Sequence, residues 1–216
     1  MVEGTPTLTV EELSVNIGGS LILANVNFSL HAGTITVLTG RNGSGKSTLM
    51  RALSGAVGYS GVVRLRGTVV DGLTYQRSRL GIALLPQDRN VFPSLTVGEN
   101  MNLAGARTHQ AQSFQLFPEL AEFAKAPARV LSGGFRRLLA IEMVLAQEPS
   151  VLLLDEPGAG LTSERLNRLA SGLRELVREN SIAAMVSDHR YEDFFEASSQ
   201  HFTIRGSALI ALSQQA

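Results

Sequence analysis

Apolar and polar residues alternate along residues 8–15 and again along 26–30, with Gly18 and Gly19 between them. That rhythm predicts two half-buried strands joined as an antiparallel hairpin. Residues 34–39 form a short run of β-branched and apolar side chains ending at glycine, followed by Gly43, Gly45 and a helix-like stretch over 46–53. A strand, a glycine loop and a helix in that order is where a phosphate site sits. Two further apolar runs, 151–154 and 182–186, flank a segment in which Leu166, Leu169, Leu173, Leu176 and Val177 recur at helical spacing, which predicts a parallel βαβ unit. Residues 89–131 lack strand-like runs and carry helical ones, broken at Pro93, Pro118 and Pro127. The pattern predicts one α/β domain over 1–216. Its catalytic core, with an N-terminal antiparallel β subdomain, spans 1–88 and 138–216, and a small α-helical subdomain is inserted at 89–137.

Composition narrows the function classes. The chain has 216 residues, enough for a substantial core but not for two independent enzymes. Nineteen basic side chains balance nineteen acidic ones, so the basic excess of a protein held to nucleic acid by phosphate contacts is missing. No nucleic-acid partner is expected. Cysteine is absent, which excludes disulfides and thiolate-bound zinc. No apolar run reaches the roughly 18 residues of a membrane span, and residues 1–10 lack a basic-then-apolar leader pattern. The expectation is a soluble chain whose membrane role, if any, requires a partner.

Three motifs carry chemistry. Gly40-Arg41-Asn42-Gly43-Ser44-Gly45-Lys46-Ser47-Thr48 matches the P-loop pattern and has the flanking strand and helix the motif needs. Its glycines let backbone N–H groups turn toward phosphates, Lys46 reaches the β- and γ-phosphates, and the Ser47 hydroxyl suits magnesium. The run 151–154 ends in Asp155 and Glu156 at the mouth of the sheet, where α/β ligands bind. Asp155 suits magnesium held through water, and Glu156, pointing elsewhere as strand neighbours do, suits orienting or deprotonating a water. Taken alone, the pair also reads as a solvated strand end before Pro157-Gly158. Ser132, Gly133 and Gly134 open a helix-like run with unobstructed backbone donors, an anion-binding end or an ordinary serine cap.

Together with Gln87, Leu-Ser-Gly-Gly at 131–134, Leu-Leu-Leu-Asp-Glu at 152–156, Gly-Ala-Gly-Leu at 158–161 and His189, these motifs resemble the ABC ATPases along essentially the whole chain. The resemblance implies a P-loop NTPase (RecA-like) core and an ATPase powering a membrane transporter with ATP and Mg2+. It implies that Gln87 sits between the magnesium site and the membrane partner, that His189 contacts the γ-phosphate, and that Glu156 and Lys46 act in catalysis. It further implies integral membrane permease subunits and a second ATPase subunit as partners. Each ATP would lie between the P-loop of one subunit and Ser132, Gly133 and Gly134 of the other, at the inner, cytoplasmic face of the membrane. Residues 79–87, 91–100, 117–120 and 138–142 are similar to ATPase subunits of branched-chain amino acid importers, whereas Ser187-Asp188-His189-Arg190 looks equally like a lipopolysaccharide-export ATPase.

The chain departs from the family pattern at three places. Ile17 stands where most members have an aromatic that stacks on adenine, Phe135 where glutamine or glutamate continues the signature, and Thr162 where aspartate commonly follows leucine. Stacking contributes about 1–3 kcal/mol per base, so weaker base selection is expected with phosphate binding kept. None of the departures removes a group that does chemistry, so an active ATPase is expected. Chromosome-maintenance and repair ATPases of the superfamily carry a long coiled-coil insertion that is absent here.

Overall fold

The computed structural model of the protein describes residues 5–88, 91–105, 114–188, 194 and 198–212. Strands β1 (Leu8–Ile17) and β2 (Ser20–Leu30) pair antiparallel from Leu8↔Leu30 to Ile17↔Ser20, around the turn at Gly18 and Gly19. This is the predicted hairpin, longer at both inner ends than the alternation alone implied. Strand β3 (Thr34–Gly40) follows, then helix α1 (Lys46–Leu53). The hairpin sheet is completed by β4 (Ser60–Leu65) and β5 (Thr68–Val69), giving the order β2-β1-β4-β5.

Helix α2 (Thr74–Arg79), strand β6 (Ile82–Leu85), helix α3 (Val97–Ala104) and helix α4 (Gly133–Leu145) come next. Strand β7 (Val151–Asp155), helix α5 (Ser163–Glu179) and strand β8 (Ala183–Ser187) form the predicted βαβ unit, with β7 and β8 parallel neighbours. The last strand of that unit starts at Ala183 rather than Ile182, because the Ile182 N–H closes the end of α5 on Val177 O at 2.9 Å. Finally β9 (Ser198–Arg205) and β10 (Ala208–Leu212) form a hairpin. The main sheet has the order β10-β9-β3-β8-β7-β6, parallel except for the β9–β10 pair.

Alternation along the buried parallel strands divides the core into two layers. Leu152, Leu154, Ala184 and Val186 face α4 and α5, while Val151, Leu153, Ala183 and Met185 face α1 and the hairpin sheet. A strand buried on both faces has no polar side to show, which is why 151–154 is apolar throughout. Between β6 and β7 the described chain is helical but mostly short. Besides α3 there are 3-10 turns at Pro118–Phe123 and Ala128–Val130, with Pro118 and Pro127 at or just before their starts. Helix α4 runs unbroken through residues 137 and 138. No described helix is long and apolar enough to cross a membrane.

Candidate active site

The parallel topology brings the carboxyl ends of β3, β8 and β7 to one edge of the sheet, and the loops leaving those ends build the site. After β3 the chain folds back tightly. Gly40 has φ +149°, and a Cβ there would lie 2.6 Å from Ser44 Oγ and 3.1 Å from Ile204 O, so the close return requires glycine. Gly45 caps α1 in the left-handed region at φ 108°. Lys46 is buried and its Nζ donates to Gly40 O at 2.9 Å and Arg41 O at 3.2 Å, which arches the lysine over the loop it leaves. Ser44 Oγ is buried with no hydrogen-bond partner among the described residues. Asn42, Gly43, Ser44, Gly45, Lys46, Ser47 and Thr48 line a cleft of about 330 Å³. Gly40 and Arg41 border the adjoining hollow of about 780 Å³, which reaches Arg205 and Gly206.

The cleft's other wall is Gln87 and Glu156. Gln87 Nε2 donates to Glu156 Oε2 at 2.9 Å. Glu156 has left the strand: its φ is +50°, and its N–H donates to Ser187 O at 2.6 Å. Its direction is therefore set by a left-handed backbone conformation and not by strand alternation, a correction to the sequence expectation. Held strain of this kind in a non-glycine residue costs of order 1–3 kcal/mol and persists where surroundings enforce it. Asp155 is 2% exposed, and its Oδ1 accepts from Ser187 Oγ at 2.9 Å. Asp188 Oδ2 accepts from Gly158 N at 2.7 Å and ties the turn after Glu156 to the end of β8. His189 lies outside the described residues.

The enforcing group is Arg137, which sequence reasoning passed over. Its Nε donates to Pro157 O, its Nη1 to Pro86 O and Gln87 O, and its Nη2 to Asp155 O and Glu156 O, at 2.6–3.3 Å. One guanidinium thus ties together the two chain segments, after β6 and after β7, that carry Gln87 and Glu156. Burial pushes its pKa down from the ordinary arginine value, while Asp155, Asp188, Glu156 and Asp88 pull it back up. A signal for it exists in the sequence: Arg137 sits at i relative to Ile141 (i+4) and Val144 (i+7), a cation in an otherwise buried apolar stripe.

Ser132 caps α4, its Oγ accepting from Phe135 N at 3.2 Å, and Gly133 and Gly134 form the first turn. None of these three lines the cleft of Lys46 and Glu156. Thr162 caps α5 in the same way, accepting from Arg165 N at 3.4 Å. Ile17 is 48% exposed at the end of β1 and also lies outside the cleft lining.

A glycine loop around a lysine, facing a carboxylate and a glutamine, has the donors and the base that suit a phosphate chain and a water. The sequence profile of the ABC transporter family matches residues 23–159. The chain belongs to the ABC transporter ATPase family. A probable branched-chain amino acid transport ATP-binding protein of Archaeoglobus fulgidus is 38% identical over 190 residues, 79% of this ABC ATPase and 80% of that protein. A high-affinity branched-chain amino acid transport ATP-binding protein of Pseudomonas aeruginosa is 35% identical over 191 residues, 84% of this chain and 82% of that one. The ABC ATPase also has the fold of an ABC transporter's ATP-binding cassette solved in its ADP conformation. The TM-score is 0.82 at 22% identity, covering 96% of this chain and 90% of that one. The expected nucleotide-binding fold is therefore present, with an antiparallel and a largely parallel sheet as its frame.

Proposed function

We propose that this ABC ATPase hydrolyses ATP in the Lys46–Glu156 cleft to drive solute transport, with branched-chain amino acids or related small solutes as cargo. The cargo class is supported by the names of the two relatives above. The observation that carries the chemistry is the cleft itself, with the loop 42–48 on one side and the bonded pair Gln87 and Glu156 on the other. Backbone N–H groups of the loop and the start of α1 bind the phosphates, and the buried Ser44 hydroxyl offers one more donor inside the loop. Lys46 keeps a donor beyond its two carbonyl bonds and turns it to the β- and γ-phosphates.

Magnesium fits this donor set, since it takes few protein oxygens and keeps waters. Ser47, Gln87 and, through water, Asp155 would hold it, and it would neutralise charge on the phosphate oxygens. No described cluster of three or more histidine or carboxylate side chains competes as a metal site. Glu156 orients a water toward the γ-phosphorus and takes its proton as the bond to the ADP oxygen breaks, while Gln87 Nε2 holds Glu156 Oε2 and so fixes the direction of the carboxylate in the cleft. The family resemblance assigns His189 to contact with the γ-phosphate.

The other half of each site comes from a second ATPase subunit, whose Ser132, Gly133 and Gly134 close on the phosphates. Residues 89–137 act as the helical arm between this face and the integral membrane permease subunits, at the cytoplasmic side of the membrane. The test is Glu156→Gln, measured for phosphate release and for binding of a fluorescent ATP analogue. Turnover should fall about 100- to 10,000-fold with binding retained. Turnover at the wild-type rate would remove Glu156 from the role of base.

A further inference from the structure

Helices α4 and α5 begin side by side and in the same way. Each starts from a hydroxyl cap, Ser132 or Thr162, and each cap accepts from the third residue of its helix, Phe135 or Arg165. Those two third residues meet: Arg165 Cζ lies 4.3 Å from the centroid of the Phe135 ring. Phe123 abuts the same ring edge-on, with centroids 5.3 Å apart at 61°, and the ring packs on the core. The backbones are close as well. A Cβ on Gly134 would come 3.2 Å from Gly160 O and 3.7 Å from Arg165 Nη1, so a side chain there would wedge the two helix starts apart.

The position of Arg165 is not explained by its own helix. A cation in the first turn opposes the helix dipole, which favours acidic groups there. Among the described residues no carboxylate pairs with Arg165, and the ring face is the specific partner it has. A guanidinium over an aromatic face is attracted by the ring's negative face and also stacks flat against it. The contact joins two functional segments, the Ser132–Gly134 helix start and the turn that follows Glu156.

We propose that Phe135 and Arg165 form a cation–π latch that fixes the start of α4 to the turn at residues 158–162. The latch keeps the Ser132–Gly134 donors in the position from which they reach the nucleotide of a paired subunit. This rests on the composite-site reading above. Phe135 is thus a positioning residue, and its aromatic ring, absent from the usual signature, is the functional part of that side chain.

The test uses the full-length chain carrying Glu156→Gln, so that bound ATP persists, with ATP-dependent self-association followed by analytical ultracentrifugation. Phe135→Leu keeps bulk but removes the ring face; Arg165→Gln removes the cation. Each should weaken association by about two- to fivefold. Affinity for a fluorescent ATP analogue in the monomer should stay at the parental value, and the double variant should be no weaker than either single one. Phe135→Tyr should restore parental association. Parental association in Phe135→Leu, additive losses in the double variant, or a parallel fall in monomer affinity would each overturn the latch. Should Phe135→Leu fail to fold, the half-buried Arg165→Gln carries the same comparison. A Glu156→Gln parent that does not associate with ATP would remove the composite site and the latch with it; a parent that associates as strongly as its latch variants would remove the latch alone.

Discussion

Every donor of Arg137 points at main chain. Five N–H groups meet the carbonyls of Pro86, Gln87, Asp155, Glu156 and Pro157. Without them the buried carbonyls of Asp155 and Pro157 lose this donor, and the segments that carry Gln87 and Glu156 lose their common tie. Hydrogen bonds to a charged group and the penalty for buried unsatisfied acceptors together put Arg137→Met at about 3 kcal/mol or more of lost stability. For a chain of this size that is roughly 6–12 °C in Tm. Arg137→Lys keeps the charge but has three donors on a flexible stem, so it should recover part of the melting temperature while kcat stays low. A lysine variant with wild-type kcat would mean that charge alone holds Gln87 against Glu156. The P-loop residues were legible in the sequence because their chemistry is local: the glycines, the lysine and the hydroxyl are contiguous. Arg137 was not, since its partners lie 18–51 residues away and its role exists only once β6 and β7 are neighbours.

At the scale of elements, α4 is anchored at both ends by side chains that bind backbone. Toward its carboxyl end Glu142 is 0% exposed, with Oε2 accepting from Gln115 N and Oε1 from Leu116 N and Phe117 N at 2.7–2.8 Å. Those three amides lead into the 3-10 turn Pro118–Phe123, so Glu142 fixes the chain's return from the helical segment. Burial raises the carboxyl's pKa above its ordinary value, against the lowering effect of the three N–H donors. A carboxyl whose folded pKa is raised binds its proton more tightly when folded. Its contribution is therefore full below the unfolded pKa, near 4.5, and is lost as pH rises through the folded pKa. The melting-temperature advantage of the wild type over Glu142→Gln should be largest at the acid end and narrow with rising pH. An advantage that widened instead would show the donors outweighing burial. Sequence pattern found the elements with strong signals: the alternating hairpin, the buried strands β3 and β7, and the leucine spacing of α5. It missed β9 and β10, whose hairpin is polar and apolar without clean alternation, and β5, two residues long. Within 89–131 the described residues hold α3 and the 3-10 segments Pro118–Phe123 and Ala128–Val130, shorter helical pieces than the pattern suggested.

For the whole molecule, the composite-site proposal rests on how one chain spaces its two candidate phosphate-binding segments. The cleft of Lys46 and Glu156 is lined by the loop 42–48, Gln87 and Glu156, and the Ser132–Gly134 helix start lies outside it. Two-fold pairing of identical patches would bring each half to the other's complement. This permits a test by mixing two inactive chains. Lys46→Ala removes the phosphate lysine and leaves the helix start intact. Gly133→Asp does the reverse, because a Cβ at Gly133 meets no atom within 4 Å, so the substitution fits its own chain and sets a carboxylate where a phosphate should approach. On the composite-site proposal, each variant alone would pair into dimers with two spoiled sites. In an equal mixture about half of random pairs are mixed, and each mixed pair has one intact site of two, so turnover should rise above the sum of the parts toward about a quarter of wild type. The gain should grow with total protein concentration, as pairing does. Turnover that stayed at the sum of the two parts at every concentration, with both chains folded, would place all the chemistry within one subunit.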